Sequence, residues 1–304
     1  MVYDIVIIGG GPAGLTAGIY AGEAGKSVII LEKFGAGGQT ANINKITNYS
    51  GFLEINGFEL SLQMQKQAQN AGAEFKREEV VSCSLDGDIK TVKTHKAEYQ
   101  AKNIIIATGA YAKMLDVQNE REFFGRGVSY CATCDGNFFK DKTVAVVGGG
   151  NVSFDDCLYL YNLAKKIYII HRRDQFTATD KLKNKVMALV ESGDKIEVLT
   201  NTVVSEIVGD DKLSAIKVQN KKTGEISQID IDGLFVAIGR KPDTDLFGSD
   251  LDLDENGFII TDENMKTNID GVYAVGDVRK TPLRQIITAC ADGAVAVSSI
   301  IKNG

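Results

Sequence analysis

The chain has 304 residues, is 44% hydrophobic, holds 32 Gly but only 3 Pro, and carries a formal net charge of -6. That length allows two domains with separate cores, and the acidic balance argues against nucleic acid and anionic membranes, which need basic patches. No run approaches the roughly 20 uninterrupted apolar residues of a membrane span, and five cysteines with Cys83, Cys157 and Cys290 scattered make no extracellular disulfide framework. A cytosolic setting is expected, where a close cysteine pair serves redox or metal chemistry.

In chain order, Val2–Ile8 lacks a basic leader and runs into Gly9-Gly10-Gly11-Pro12-Ala13-Gly14, so it reads as a strand and not a secretion signal. A helix over about 13–24 and a strand over 27–31 ending at Glu32 complete a βαβ unit. The same design returns as a strand at Thr143–Val147, the loop Gly148-Gly149-Gly150-Asn151-Val152-Ser153, a helix over about 152–163 and a strand at 167–170 ending at His171. Gly14 to Glu32 and Ser153 to His171 are both 18 positions, a matching register that points to two nucleotide folds of shared design. Two short apolar runs, Ile104–Gly109 and Leu234–Gly239, each lead into a polar connector near 112–116 and 240–245. The expected fold is α/β: two Rossmann-like, three-layer FAD/NAD(P)-binding domains. The first is built from 1–114 and 242–304, and the NADP domain, 115–241, is inserted into it.

Each glycine position has a separate physical task. The first glycine (Gly9, Gly148) permits the tight strand-to-helix turn. The second (Gly11, Gly150) lets a pyrophosphate approach the backbone, and the third position (Gly14, Ser153) allows close helix–strand packing. The helix N-terminus, at Pro12-Ala13 and at Asn151, then offers unpaired N–H groups to the phosphates. Glu32 can accept hydrogen bonds from ribose hydroxyls but repels a 2′-phosphate, so the first site suits FAD or NAD. His171-Arg172-Arg173 offers cations at the matching place, so the second suits NADP. Near the C-terminus, 271–278 reads as a buried strand closing on Asp277, placed to bond a polyol chain or simply to end a Gly-Asp turn.

Cys131-Ala132-Thr133-Cys134-Asp135 lies just before the second loop. Two thiols at this spacing can cycle between dithiol and disulfide, and Asp135 can carry the proton those steps need. A structural zinc site would require two further ligands, and only His95 and His171 exist. A buried pair of structural thiols is the other alternative.

Taken together, Gly9–Gly14, Gly37-Gly38-Gln39, Ala107-Thr108-Gly109, Cys131–Gly136, Gly148–Ser153, His171–Asp174, Gly276-Asp277-Val278 and Arg284-Gln285 stand in an order that resembles the bacterial-type, low-molecular-weight thioredoxin reductases over essentially the whole chain. The resemblance implies a homodimeric flavoprotein that passes electrons from NADPH through FAD to the cysteine pair and on to thioredoxin. It implies Cys134 nearer the flavin, Cys131 exchanging with the thioredoxin disulfide, and Asp135 as the acid. Gly38, Gln39, Asn48, Thr108, Gly109, Gly276, Asp277, Arg284 and Gln285 are then expected around FAD, and Arg126 near docked thioredoxin. It also implies that the inserted domain turns on its connectors between two arrangements.

Three positions depart from the family pattern. Thr177 replaces an arginine and removes one cation from the 2′-phosphate pocket, which leaves NADPH against NADH open. Asn137 replaces an aromatic before Phe138 and Phe139, which leaves the thioredoxin-like partner open. Tyr49-Ser50-Gly51 replaces a Pro-containing turn. Two other functions stay in view. One is a same-architecture reductase serving ferredoxin, whose members lack the cysteine pair; the other is a redox-sensing binding module.

Overall fold

A computed structural model of the chain describes residues 1–193, 195–247 and 250–303. It divides into two compact units, Met1–Tyr111 with Lys241–Gly304, and Ala112–Arg240.

In the first unit β1 (Val2–Ile8) lies at the centre of a seven-stranded sheet, and Ile5, Val6 and Ile7 are fully buried. A strand covered on both faces needs a continuous apolar run, which is what the sequence supplies. Pro12 opens α1 (Pro12–Glu23), where its missing N–H costs nothing. β2 (Val28–Glu32), wholly buried, pairs in parallel with β1. The next helix, α2 (Gly57–Asn70), is capped by Asn56, whose side-chain oxygen accepts from the Phe58 N–H at 2.9 Å. Then come β3 (Glu74–Arg77), β4 (Val80–Ser84), β5 (Lys90–Thr94) and β6 (Glu98–Ile106), in the sheet order β3-β2-β1-β6-β5-β4. The strand β7 (Ala110–Ala112) follows.

The second unit opens with β8 (Val128–Ser129) and the single turn α3 (Ala132–Asp135). β9 (Thr143–Val147), α4 (Asn151–Tyr161) and β10 (Lys166–Ile170) follow, and then α5 (Asp180–Glu191) and β11 (Ile196–Leu199). An antiparallel meander of β12 (Thr202–Gly209), β13 (Leu213–Asn220) and β14 (Ile226–Asp230) precedes β15 (Gly233–Val236). The parallel sheet runs β11-β10-β9-β15-β8. β16 (Arg240–Pro242) pairs with β7. The chain ends in β17 (Val272–Ala274), parallel to β6, and α6 (Ile286–Asn303).

Alternation along the strands sorts each unit into layers. In the first, Ile5, Ile7, Ile30 and Ile105 pack with residues of α1, α2 and α6, while Val6, Ile8, Ile29 and Ile106 face a second core. In the second, Val144, Val146 and Ile169 pack with Phe154 of α4, and Ala145, Val147 and Leu234 pack with Ile207 and Ile216 of the meander. No helix among the described residues is long and apolar enough to cross a membrane.

Two elements differ from the sequence pattern. The helix expected to reach about 163 stops at Tyr161, where the Asn162 and Leu163 N–H groups turn to the Tyr159 and Leu160 carbonyls, three residues back, at 3.3 and 2.9 Å. The strand expected to close on Asp277 stops at Ala274. Gly276 takes φ +73°, and Asp277 lies in the short turn Gly276–Val278.

Candidate active site

The two glycine loops are built alike. A β-carbon on Gly9 would collide with the Ala107 carbonyl, and one on Gly14 with the Gly9 carbonyl, whereas one on Gly11 would meet nothing within 4 Å. In the second loop a β-carbon on Gly148 would collide with the Ala237 carbonyl, and one on Gly150 would meet only Thr177 Oγ1 at 3.7 Å. Ser153 takes the third position, fully buried, with its hydroxyl donating to the Gly150 carbonyl at 2.8 Å. The first glycine of each loop is therefore spent on packing, and the second faces open space.

Of the other expected positions, Gly38, Glu32, Thr108 and Gly276 lie against the first loop. The Gly37 N–H donates to the Gly10 carbonyl at 2.7 Å, so that a β-carbon on Gly38 would stand 3.6 Å from the Gly11 α-carbon. Gln39 donates its amide to the Ala110 carbonyl. Glu32, buried at the end of β2, accepts the Gly10 N–H at 2.7 Å and the Phe34 N–H at 3.0 Å. Each oxygen keeps a lone pair. Thr108 donates its hydroxyl to the Asp243 carbonyl at 2.7 Å, beside Gly109 at φ +76°. A β-carbon on Gly276 would approach that of Ala13 to 2.9 Å. Asn48 donates to the Gln285 side chain at 3.0 Å, while the Arg284 guanidinium lies 4.1 Å over the Phe258 ring.

In the second unit His171 is buried, with Nε2 2.9 Å from the Gln175 carbonyl and its ring tilted against Phe176. A β-carbon on Gly149 would collide with that ring. Gly149 thus stands to His171 as Gly10 stands to Glu32. Arg172 and Arg173 are exposed. Asn151 Oδ1 accepts the Thr179 N–H at 2.8 Å, and the Thr177 hydroxyl donates to the Gly149 carbonyl at 3.2 Å. The segment after β10 is thereby folded over the loop.

Cys131 and Cys134 form a disulfide with their α-carbons 5.3 Å apart. The Cys131 carbonyl accepts the Cys134 and Asp135 N–H groups at 3.2 and 3.1 Å, which closes the α3 turn. Asp135 accepts the Ser129 hydroxyl at 2.6 Å, and burial raises its carboxyl above the usual range against that hydrogen bond. The same Ser129 oxygen accepts the Cys131 N–H at 3.1 Å, so one hydroxyl ties the acid to the first cysteine. Arg126 is exposed, with its guanidinium donating to the Glu122 carbonyl at 2.8 Å, and Phe124 and Phe138 are also exposed. The other thiols are inert by environment: burial pushes Cys83 and Cys157 up to about 12.

A family profile described as pyridine nucleotide-disulphide oxidoreductase matches residues 3–293. A thioredoxin reductase of Peptoclostridium acidaminophilum is 42% identical over 308 residues, covering 99% of this chain and 96% of that protein. The crystal structure of thioredoxin reductase from Streptococcus pyogenes MGAS5005 is 41% identical, with a TM-score of 0.92 over 99% of this chain and 97% of that one. The chain belongs to the thioredoxin reductases of this family. A second similar structure, of a ferredoxin-flavin thioredoxin reductase from Clostridium acetobutylicum, is 32% identical with a TM-score of 0.52, over 99% of this chain and 98% of that one.

As a thioredoxin reductase the chain is a flavoprotein disulfide reductase whose fold implies a flavin and a nicotinamide nucleotide. The residues fit such groups. Each loop leaves its second glycine open where a pyrophosphate would lie, and each is closed elsewhere by its own backbone. Three groups at the site escaped the sequence reading. Ser129 precedes the cysteine motif, and its role is visible only from its two hydrogen bonds. Asp292 of α6 accepts the Gly276 N–H at 3.0 Å and faces Arg279 at 3.3 Å, holding the loop that contains Asp277. Asp156 of α4 is pushed up to about 7 by burial and then by the Asp155 charge, with Arg240 opposing. The doubled acid 155–156 after a glycine loop was the available signal for it.

Substituting Gly11→Ala is expected to leave folding unchanged but to weaken flavin retention. Gly14→Ala is expected to lower both flavin content and thermal midpoint; equal effects of the two in the flavin-free protein would contradict this loop geometry. Because the folded-state pKa of Asp156 lies above its unfolded value, its stabilising contribution is full below about pH 4 and is lost as pH rises to about 7. Asp156→Asn should therefore gain on the wild type in urea midpoint between pH 4 and 7, with a constant gap above; a gap independent of pH would count against it.

Proposed function

We propose that this chain reduces the disulfide of a thioredoxin with NADPH as donor, holding FAD at the first loop and NADPH at the second. The observation that carries this reading is a Cys131–Cys134 disulfide, beside a half-buried carboxyl, in the unit whose glycine loop precedes two exposed arginines. A bound FAD, held at the first loop, would supply the two-electron link between the nicotinamide donor and the disulfide.

Glu32 leaves lone pairs for ribose hydroxyls and repels a 2′-phosphate, which supports placing FAD, and not NADPH, at the first site. Arg172 and Arg173 supply cations for that phosphate at the second. Reduction of the pair breaks the Sγ–Sγ bond and gives the two thiols. Following the family pattern, the Cys131 thiolate attacks one sulfur of the thioredoxin disulfide, forming a mixed disulfide and releasing the other sulfur as a thiolate. The Cys134 thiolate then attacks Cys131 Sγ, which re-forms the internal disulfide and frees dithiol thioredoxin. Asp135, its carboxyl raised above the usual range by burial, gives the proton to the departing thiolate and recovers one from the next thiol. Exposed Arg126 and Phe138 are the proposed contacts of the thioredoxin-like partner. A homodimer in the cytosol completes the proposal, and light scattering of the holoenzyme checks the dimer.

A second reading keeps the same outlet and changes the donor. Thr177 brings no charge to the phosphate site, which favours NADH, and the name of the C. acetobutylicum neighbour pairs ferredoxin with the same reduction. Adding NADPH, NADH or reduced ferredoxin separately to the flavin-loaded protein, under anaerobic conditions, tests the donor. The expected result is bleaching of the visible flavin bands by NADPH at the lowest concentration. Bleaching by ferredoxin alone overturns the assignment.

The outlet has its own test. Cys134→Ser should abolish thioredoxin reduction while the flavin is still bleached by its donor. Asp135→Asn should slow turnover by on the order of a hundredfold at neutral pH. Full thioredoxin reduction by Cys134→Ser would exclude the cysteine pair as the outlet.

A further inference from the structure

The sequence places two cations, Arg172 and Arg173, at the end of β10, and the structure adds a third from 48 positions downstream. Two backbone hydrogen bonds make the connection. The Asn201 N–H, in the turn between β11 and β12, donates to the Arg173 carbonyl at 3.0 Å, and the Asn201 carbonyl accepts the Lys221 N–H at 2.6 Å. The neighbouring Thr202 N–H donates to the His171 carbonyl at 2.9 Å, so residues 171–173 are pinned along this turn. Lys221 lies at the tip of the β13–β14 hairpin.

That tip is held in shape by its own bonds. Asn220 Oδ1 accepts the Lys222 and Thr223 N–H groups at 2.9 and 3.1 Å, and the Gly224 N–H donates to the Asn220 carbonyl at 2.8 Å. Its side chains reach the strand end: Lys222 Nζ stands 3.8 Å from Asp174 Oδ2. This pair cancels one charge of each sign. Lys221 is exposed and makes no ion pair among the described residues.

The nearer alternatives to Lys221 are already committed. The His171 ring is buried against Gly149 and bonded to the Gln175 carbonyl. Thr177 is fixed to Gly149 through both its N–H, at 2.7 Å, and its hydroxyl, and carries no charge. A 2′-phosphate at Arg172 and Arg173 bears up to two negative charges. The cation next to this backbone, and outside the segment that carries the arginines, belongs to the hairpin.

We propose that Lys221 is a specificity-determining residue for the nicotinamide donor, giving the second site a third cation for the 2′-phosphate of NADPH. The inference rests on the NADPH reading above and deepens it. An ammonium supplies a point charge where a guanidinium would supply a fork, so Lys221 adds affinity more than orientation. It acts on binding of the 2′-phosphorylated donor and leaves NADH binding alone.

The test uses the flavin-loaded full chain. Flavin bleaching is titrated with NADPH and with NADH for the wild type, Lys221→Gln and Lys221→Arg, and binding of 2′,5′-ADP is measured by calorimetry. Lys221→Gln should weaken NADPH and 2′,5′-ADP on the order of tenfold, about 1.4 kcal/mol, and leave NADH unchanged. Lys221→Arg should restore most of the loss, and raised salt should shrink the difference. If the wild type prefers NADPH and Lys221→Gln keeps that preference in full, the inference fails and the donor assignment stands. Equal weakening of NADPH and NADH also overturns it, by revealing a structural role for the hairpin tip. If the wild type does not distinguish NADPH from NADH, the donor assignment fails and the inference with it.

Discussion

Close approach of backbone to backbone at the two glycine loops is the constraint on which the rest of the structure depends. At Gly9 and Gly14 no β-carbon fits, because the Ala107 and Gly9 carbonyls already occupy its place. The same contact recurs at Gly148 against the Ala237 carbonyl. Strand and helix are thereby brought near, while a β-carbon on the second glycine of each turn would meet nothing within 4 Å at Gly11 and only Thr177 Oγ1, at 3.7 Å, at Gly150. Around the first loop, the turn at Gly37-Gly38, the end of β2 and Ala13 against Gly276 close three sides. Nearly identical backbone contacts thus recur at the glycine loop of each unit.

Where the two units differ, the difference is electrostatic. Glu32 puts a carboxylate at the end of β2, bound to the loop by the Gly10 N–H. At the matching place His171 turns inward and exposes the two arginines that follow it. In the same unit, the cysteine pair is carried on one helical turn, α3. The Ser129 hydroxyl serves both the Asp135 carboxyl and the Cys131 N–H. Burial raises the Asp135 carboxyl above the usual range, a shift in the direction that suits a group giving a proton to a thiolate.

Much of this was legible in the sequence, because its signals are local. An apolar run, glycines at fixed spacing and a polar residue 18 positions on belong to one contiguous βαβ unit, and both units form as the spacing predicts. Contacts made by distant segments left no such mark. The helix α6 packs on α1 through Gly293, whose β-carbon would collide with the Ala13 carbonyl, and a single glycine in an Ala-rich stretch does not announce its partner. Asp292 holding Gly276, Ser129 holding Asp135, and the Lys221–Asn201–Arg173 chain likewise depend on which loops meet. At 275–277 apolar character continues past the end of β17 at Ala274, and the positive φ of Gly276, which the residue pattern does not reveal, turns the chain away.

The account stands on electrons leaving the flavin through one particular sulfur pair. Counting alkylatable thiols by mass spectrometry, before and after anaerobic addition of the nicotinamide donor to the flavin-loaded protein, tests that directly. Two new thiols per chain, both mapped to Cys131 and Cys134, are expected from the single disulfide. A fully bleached flavin with that disulfide still closed would contradict the account.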